Sequence, residues 1–388
     1  MRIKEIQLVN FRNYKKLTLY PQNGVNLFLG SNGTGKTNLL EAIHYCSLGK
    51  SHRINNDQNV VKIGENQAVC SIVFDKSKTR NTITIHLLPD EQQRKIILIN
   101  QKKIHRFSDM MGFLQCVIFS PEDLSLIKDG PSQRRKYLDM MISQTNKQYF
   151  IALQQYKNAL EQRNALLKQI KLNRSFSNLL SDFDNQMINP TKIIVSEREN
   201  VINRLSEIAN RIYMEISGQK DEEVLNISYN SSLKGINSSE DIFNQQLKDS
   251  REDDIRLGTT NVGPHRDDLH IALNRKNMKM FASQGQIRTA ALSLKLSQIE
   301  IIKEIGGDDP VILLDDVMSE LDSNRRIRLI DKIKEYQTFI TCTDESDINI
   351  DLSKKIYQIK KINGLASVIQ NGKIVDENND YLSEPDFS

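Results

Sequence analysis

The spacing of apolar and polar positions changes several times along the chain, and each change marks an element. Residues 25–29 form a short apolar run that stops at a glycine-rich turn, and 37–46 follow with the spacing of an amphipathic helix. The runs 68–74, 82–88 and 96–100 are β-branched or alternating and are broken by polar turns, which predicts antiparallel strands. From 150 to 216 the period lengthens. Leu153, Leu160 and Leu167 recur every seven residues with Tyr156 and Ile170 on the same side, and Val201, Leu205, Ile208, Ile212 and Ile216 form a second stripe. Polar residues 173–178 separate the stripes, so the pattern predicts a helical hairpin whose arms are too short for a long coiled coil. Separate helices packed on the main domain would show the same stripes. Downstream, 311–314 are apolar and end in Asp315-Asp316. A polar turn and a helix over 324–335 follow, and 338–342 are apolar again. Such βα alternation predicts a mostly parallel sheet. The polar tail 378–388 is expected to fray.

These elements assemble into an α/β fold: a mostly parallel sheet, an antiparallel β subdomain beside it, and an inserted all-helical lobe. The expected boundaries are a discontinuous main domain, 1–130 and 256–388, with the lobe over 131–255.

Composition narrows the class. With 388 residues, 38% hydrophobic and 26% charged, the chain matches an ordinary soluble protein of two or three domains. No apolar run approaches the ~18 residues of a membrane helix. Lys4 and Glu5 interrupt the stretch where a secretory signal would be apolar, so a cytoplasmic protein with no membrane partner is expected. Cys46, Cys70, Cys116 and Cys342 are scattered without a C-x-x-C pair, which indicates small core residues rather than a zinc site or disulfide framework. A net charge of +4 does not require a nucleic-acid partner. The clusters Gln133-Arg134-Arg135-Lys136 and Arg325-Arg326-Ile327-Arg328 permit one, although for either alone a solvated surface is the favoured reading.

The candidate chemistry begins at the glycine-rich turn. Gly30-Ser31-Asn32-Gly33-Thr34-Gly35-Lys36-Thr37 satisfies the phosphate-loop pattern G-x-x-x-x-G-K-[ST] between a strand and a helix, the context the pattern needs. Its glycines let backbone N–H groups converge on phosphate oxygens, Lys36 reaches the β and γ phosphates, and Thr37 offers a hydroxyl to Mg²⁺. A nucleotide with Mg²⁺ is therefore expected. The run ending in Asp315-Asp316 looks like a Walker B strand: Asp315 as metal partner, Asp316 as the base or orienting group for the attacking water. The two halves of this site lie far apart in the chain, so something large is inserted between them.

Other short motifs resemble those of ABC-type ATPases. Ser283-Gln284-Gly285-Gln286-Ile287-Arg288, ahead of the helical pattern 289–302, resembles the signature motif, whose serine and glycine bind the γ-phosphate of ATP held by a second subunit. Ser319-Glu320-Leu321-Asp322 falls at the D-loop position, and Thr343 stands where many members carry a switch histidine. That departure implies slow hydrolysis. Gln115 is not placed in the site, because its offset from Phe119-Ser120-Pro121-Glu122 does not fix it there.

With these motifs in order, the chain resembles the RecF family of bacterial recombinational-repair proteins nearly end to end. The resemblance rests further on Leu8-Val9-Asn10-Phe11-Arg12-Asn13-Tyr14, Gly49-Lys50-Ser51-His52-Arg53, Phe119 to Leu124, Gly130 to Lys136 and Gly263-Pro264-His265-Arg266-Asp267-Asp268. It implies an ATP-dependent DNA-binding protein that forms a homodimer around two nucleotides and helps load RecA with RecO and RecR. Within it, Ser283, Gly285 and Gln286 would serve a partner's nucleotide. Arg53 and Arg12 would neutralise phosphate charge on ATP or DNA, with a solvated surface cation an equal reading for Arg12, and Arg134, Arg135 and Lys136 are candidates for DNA backbone contacts. Three rivals share parts of the pattern: the nucleotide-binding subunit of an ABC transporter, an SMC-like clamp or nuclease-associated ATPase, and a small-molecule kinase. The inserted lobe, the absence of a C-x-x-C hook and the signature motif respectively weigh against them.

Overall fold

Apolar runs that would be insoluble as isolated strands pair side by side, and their pairing brings the ends of distant segments together. The computed structural model describes residues 1–51, 53, 57–89, 95–218, 223–233, 239–345 and 353–375. Two compact units are present: Met1–Pro121 with the chain from Asp308 onward, and Glu122–Gly307.

In the first unit, five strands run parallel in the spatial order Cys116–Phe119, Val311–Asp315, Thr338–Cys342, Val25–Leu29, Lys354–Ile362. Leu365–Gln370 and Lys373–Ile374 extend the sheet antiparallel. Val311–Asp315 and Thr338–Cys342 are buried at every position, the condition of a sheet covered on both faces. The register pairs Asp315 with Thr341 and Cys342 with Leu29, so the carboxyl ends of three strands meet at one edge. A second sheet is antiparallel, in the order Tyr14–Leu19, Arg2–Phe11, Ala68–Lys76, Thr79–Leu87, Lys95–Ile99, Lys102–Lys103. The helix Lys36–Leu48 joins one core with both sheets: Leu39, Leu40 and Ile43 are sealed among Phe28, Ile72, Ile85 and Leu313. Each such side chain contributes roughly 2 kcal/mol by leaving water. The helix ends cleanly because Gly49 takes a left-handed conformation and donates its N–H to the Tyr45 carbonyl.

The second unit is mostly helical. Lys147–Leu172 and Leu180–Ser217 form the expected hairpin, joined by the 3₁₀ turn Arg174–Leu179. Asn146 and Asn173 start the first helix and the turn by accepting from the N–H groups of Tyr149 and Ser175. Arg163, fully buried, is held by Asp184 and Asp254, each at 2.7 Å. The helix Gln284–Gly306 packs along Leu180–Ser217, with Arg204 and Arg211 paired to Glu304 and Glu300.

Two features differ from the sequence expectation. The division falls at 122–307 rather than 131–255, which places the signature helix in the second unit. That unit also carries a small antiparallel sheet, Leu225–Asn230 with Asp268–Leu273 and Lys276–Asn277. Residues 225–230 alternate buried and exposed, yet their partner strand lies some 40 residues on, beyond the reach of a local pattern. The 378–388 tail lies outside the described residues. Among the described residues, no helix is long and apolar enough to cross a membrane.

Candidate functional site

The strand Val25–Leu29 delivers the chain to the sheet edge, and the loop from Gly30 to Gly35 turns it into the helix Lys36–Leu48. Gly33 and Gly35 have φ of 77° and 118°, values that need glycine. Lys36 is nearly buried, and its ammonium donates to the carbonyls of Gly30 (2.7 Å) and Ser31 (3.3 Å). The Thr34 hydroxyl also closes on the Ser31 carbonyl, at 2.8 Å.

Opposite the loop, Asp315 receives two hydroxyls on one oxygen, from Thr37 and Thr341, each at 2.9 Å. The Thr341 hydroxyl oxygen accepts in turn from the Asp316 N–H, at 2.9 Å. Asp316 has φ +52°, a conformation costing an L-residue roughly 1 kcal/mol, and the kink turns the two adjacent acids into different surroundings. Asp315 is buried against the helix, and Asp316 lines a cleft of about 170 Å³ with Asn32, Ser319, Cys342 and Thr343. Burial pushes the Asp315 carboxyl above its ordinary range. The two threonine hydroxyls and the Arg53 charge oppose the shift, and the Asp316 charge adds to it.

The structure therefore brings together the phosphate loop, both acids, the D-loop serine and Thr343. Arg53 is exposed nearby, its N–H on the Ser51 hydroxyl at 3.0 Å and its guanidinium 3.5 Å from the Asn38 side chain. Arg12 is not a surface cation. Its guanidinium grips the fully buried Glu41 carboxylate at 2.9 and 2.7 Å. Gln115 sits at the far end of the sheet, where its carbonyl accepts from Val311, the first residue of the strand that ends in Asp315.

In the second unit, Ser283 caps Gln284–Gly306 in a reciprocal box with Gln286: the serine oxygen accepts from the Gln286 N–H, and the Gln286 side-chain oxygen accepts from the Ser283 N–H. The Gln286 amide also donates to Glu223, at 2.6 Å. Gln286 thus shapes the motif, and Ser283, Gln284 and Arg288 are its exposed residues. Of the basic candidates, Arg134 is buried in a bidentate pair with Asp268 (2.7 and 2.9 Å) and also donates to the Asp129 carbonyl. Its charge serves the fold, which corrects its placement among DNA contacts. Arg135 is half-buried on the Asp267 carbonyl, and Lys136 is exposed. The Gly263–Asp268 stretch is also a structural clasp. Gly263 comes so close to Tyr156 that a Cβ would lie 2.5 Å from its hydroxyl oxygen. Tyr156 and His265 share a hydrogen bond of 2.6 Å, and Arg198 donates to the Pro264 carbonyl.

Comparison with known proteins gives the family. The model of the RecF/RecN/SMC N terminal domain matches residues 2–366. The DNA replication and repair protein RecF of Clostridium novyi (strain NT) is 40% identical over 94% of this chain and 99% of its own length. The chain belongs to the RecF family. The RecF of Clostridium tetani (strain Massachusetts / E88) is also 40% identical, over 93% of the chain and 98% of that protein. A solved structure described as the recombination mediator protein RecF-ATP in RecFOR pathway is 38% identical, with a TM-score of 0.86 over 95% of this chain and 97% of that one. The Smc head domain from Pyrococcus furiosus, 18% identical with a TM-score of 0.55 over 95% and 96%, shares the fold. The RecF family comprises DNA replication and repair proteins, and the fold is the ABC-type ATPase head that its motif order implies.

Proposed function

We propose that this chain is an ATP-dependent DNA-binding protein of recombinational repair and replication restart, which dimerises around two ATP molecules and promotes RecA loading with RecO and RecR. The observation that carries the nucleotide reading is the bond from the Thr37 hydroxyl to Asp315 beside the loop that holds Lys36. A hydroxyl and a buried carboxylate form the hard-oxygen donor set that suits Mg²⁺, and a dication would offset the burial that raises the Asp315 pKa.

In this account Gly33 and Gly35 shape a cradle of N–H groups, Lys36 supplies positive charge, and Thr37 with Asp315 holds the metal. Asp316 faces the cleft, where it orients a water or takes its proton. ATP supplies a γ-phosphate that is present before hydrolysis and gone after it. Thr343, in place of a switch histidine, makes hydrolysis slow. Ser283 and Gly285 serve the partner copy's nucleotide, so binding and dimerisation are thermodynamically linked. Lys136 and Arg135 are the remaining candidates for DNA backbone contacts, salt-sensitive and indifferent to sequence. The relatives' names and the RecFOR pathway of the solved structure support the DNA-repair role and the partners, and a cytoplasmic site of action is proposed with them.

The test is Ser283→Arg, which fills an exposed position with a bulky cation. The ATP affinity of the monomer, measured at protein concentrations too low for dimers, is expected to stay within about twofold of the unsubstituted value while ATP-dependent dimers disappear at high concentration, read by calorimetry and light scattering. Dimerisation as in the unsubstituted protein would contradict the nucleotide sandwich. The lost cap itself costs about 1 kcal/mol of helix stability.

A further inference from the structure

The Phe11–Tyr14 turn belongs to the antiparallel sheet, yet its three polar residues all close on the phosphate loop or its helix. Arg12, itself partly exposed, pairs with the buried Glu41 carboxylate. The Asn13 side-chain amide donates to the Thr34 carbonyl at 3.1 Å, and its oxygen accepts from the Asn38 amide at 2.8 Å. The Tyr14 hydroxyl donates to the Gly35 carbonyl at 3.1 Å. Asn13 is itself pinned, because its own carbonyl accepts from the Ala366 N–H at 3.0 Å. The contact is close enough that a Cβ on Gly35 would lie 2.6 Å from the Asn13 side chain.

Peptide planarity turns this contact into a statement about the loop's donors. In a trans peptide the C=O and the next residue's N–H point in opposite directions. Fixing the Thr34 carbonyl toward Asn13 therefore aims the Gly35 N–H away from the turn. Gly35, at φ 118°, is the residue most able to rotate out of that arrangement. The Gly35 carbonyl is less dependent on the turn, since it also accepts from the Leu39 N–H at 3.2 Å as the first bond of the helix.

We infer that Asn13 is a positioning residue for the phosphate cradle: it holds the Thr34–Gly35 peptide in the orientation that presents the Gly35 N–H to an anion before any nucleotide arrives. The role deepens the proposed nucleotide site and rests on it, since the cradle must bind a polyphosphate for the orientation to matter. Asn13 acts through the loop's backbone. Preorganisation of this kind improves affinity by removing an ordering cost that binding would otherwise carry.

The experiment compares Asn13→Ala, Tyr14→Phe and Lys36→Ala with the unsubstituted protein by calorimetric titration of ATP with Mg²⁺, by melting of the nucleotide-free proteins, and by NMR relaxation of the backbone amides without nucleotide. Asn13→Ala is expected to weaken ATP about five- to tenfold, the worth of one lost hydrogen bond. Its melting temperature should stay within about 3 °C, and its Gly35 amide should show a lower order parameter than in the unsubstituted protein. Tyr14→Phe, whose Gly35 carbonyl keeps the Leu39 bond, should change affinity less than about twofold. Unchanged ATP affinity and unchanged Gly35 mobility in Asn13→Ala would overturn the role. So would a loss of affinity matched by a general drop in melting temperature, which would mark Asn13 as ordinary structure. If the unsubstituted protein fails to bind ATP, or Lys36→Ala binds it equally well, the nucleotide reading fails. The relaxation measurement, made without nucleotide, then decides the clamp separately.

Discussion

The Thr37 hydroxyl donates to Asp315 Oδ1 across 2.9 Å, joining side chains 278 positions apart in the chain. The strand Thr338–Cys342 makes this possible. It pairs with both Val25–Leu29 and Val311–Asp315, so the phosphate loop and the acidic pair leave the same sheet edge two strands apart. Thr341, on that middle strand, then fixes both acids at once.

The buried carboxylate gives a prediction with opposite effects on stability and binding. Asp315 has its pKa raised by burial, so its ionised form costs stability as pH climbs from the unfolded value of 3.8 through the higher folded value, and the cost vanishes below that window. Asp315→Asn should therefore melt higher than the unsubstituted protein at pH 7 without metal, and the gain should disappear below about pH 4. Mg²⁺-dependent ATP affinity should fall more than about tenfold. Calorimetry with and without Mg²⁺ checks both effects.

Arg134 and Lys136 stand two residues apart and should behave differently. Arg134→Ala leaves Asp268 without its bidentate partner and should destabilise the second unit by roughly 3 kcal/mol. Lys136→Ala should leave the melting temperature unchanged. If Lys136 touches the DNA backbone, that variant weakens DNA binding evenly across sequences and lowers the salt slope by about one. Denaturant unfolding and salt-titrated DNA binding separate the two.

His265 predicts acid sensitivity. Burial pushes its pKa down to about 4, helped by the Arg266 and Arg135 charges and opposed by its bond to the Thr260 carbonyl and by Asp254. Because the folded value is depressed, the unfolded chain binds the proton more readily between about pH 6.5 and pH 4. Stability is complete above that window and falls as pH drops through it, by up to about 3 kcal/mol. His265→Gln should flatten this part of the stability curve, measured by urea unfolding from pH 4 to 7.

Much of the fold was readable in the chain. The strands Val25–Leu29 and Thr338–Cys342 are short apolar runs closed by turns, and they stand at the expected residues. The hairpin followed from two apolar stripes and a polar interruption. What escaped was set by pairing at a distance. Arg134 looked like a surface cation because its partner Asp268 is 134 residues away. Arg12 looked equally solvated, although Glu41 on the phosphate-loop helix encloses its charge. The helix Gln284–Gly306 looked like part of the main domain because its motif belongs with the other ATPase motifs. It packs on Leu180–Ser217 within the second unit instead. Asn13 stood inside a stretch already singled out, but nothing local names Thr34 as its partner.

The central claim is that nucleotide controls assembly on DNA, and the most direct measurement is the molar mass of Asp316→Asn in solution, with and without ATP and Mg²⁺, repeated with gapped duplex DNA. Removing the cleft-facing carboxylate should arrest hydrolysis while leaving Lys36, Thr37 and Asp315 in place. The predicted result is a dimer that forms only with ATP and Mg²⁺ and binds the DNA more tightly than the monomer. A monomer indifferent to both nucleotide and DNA would contradict the account.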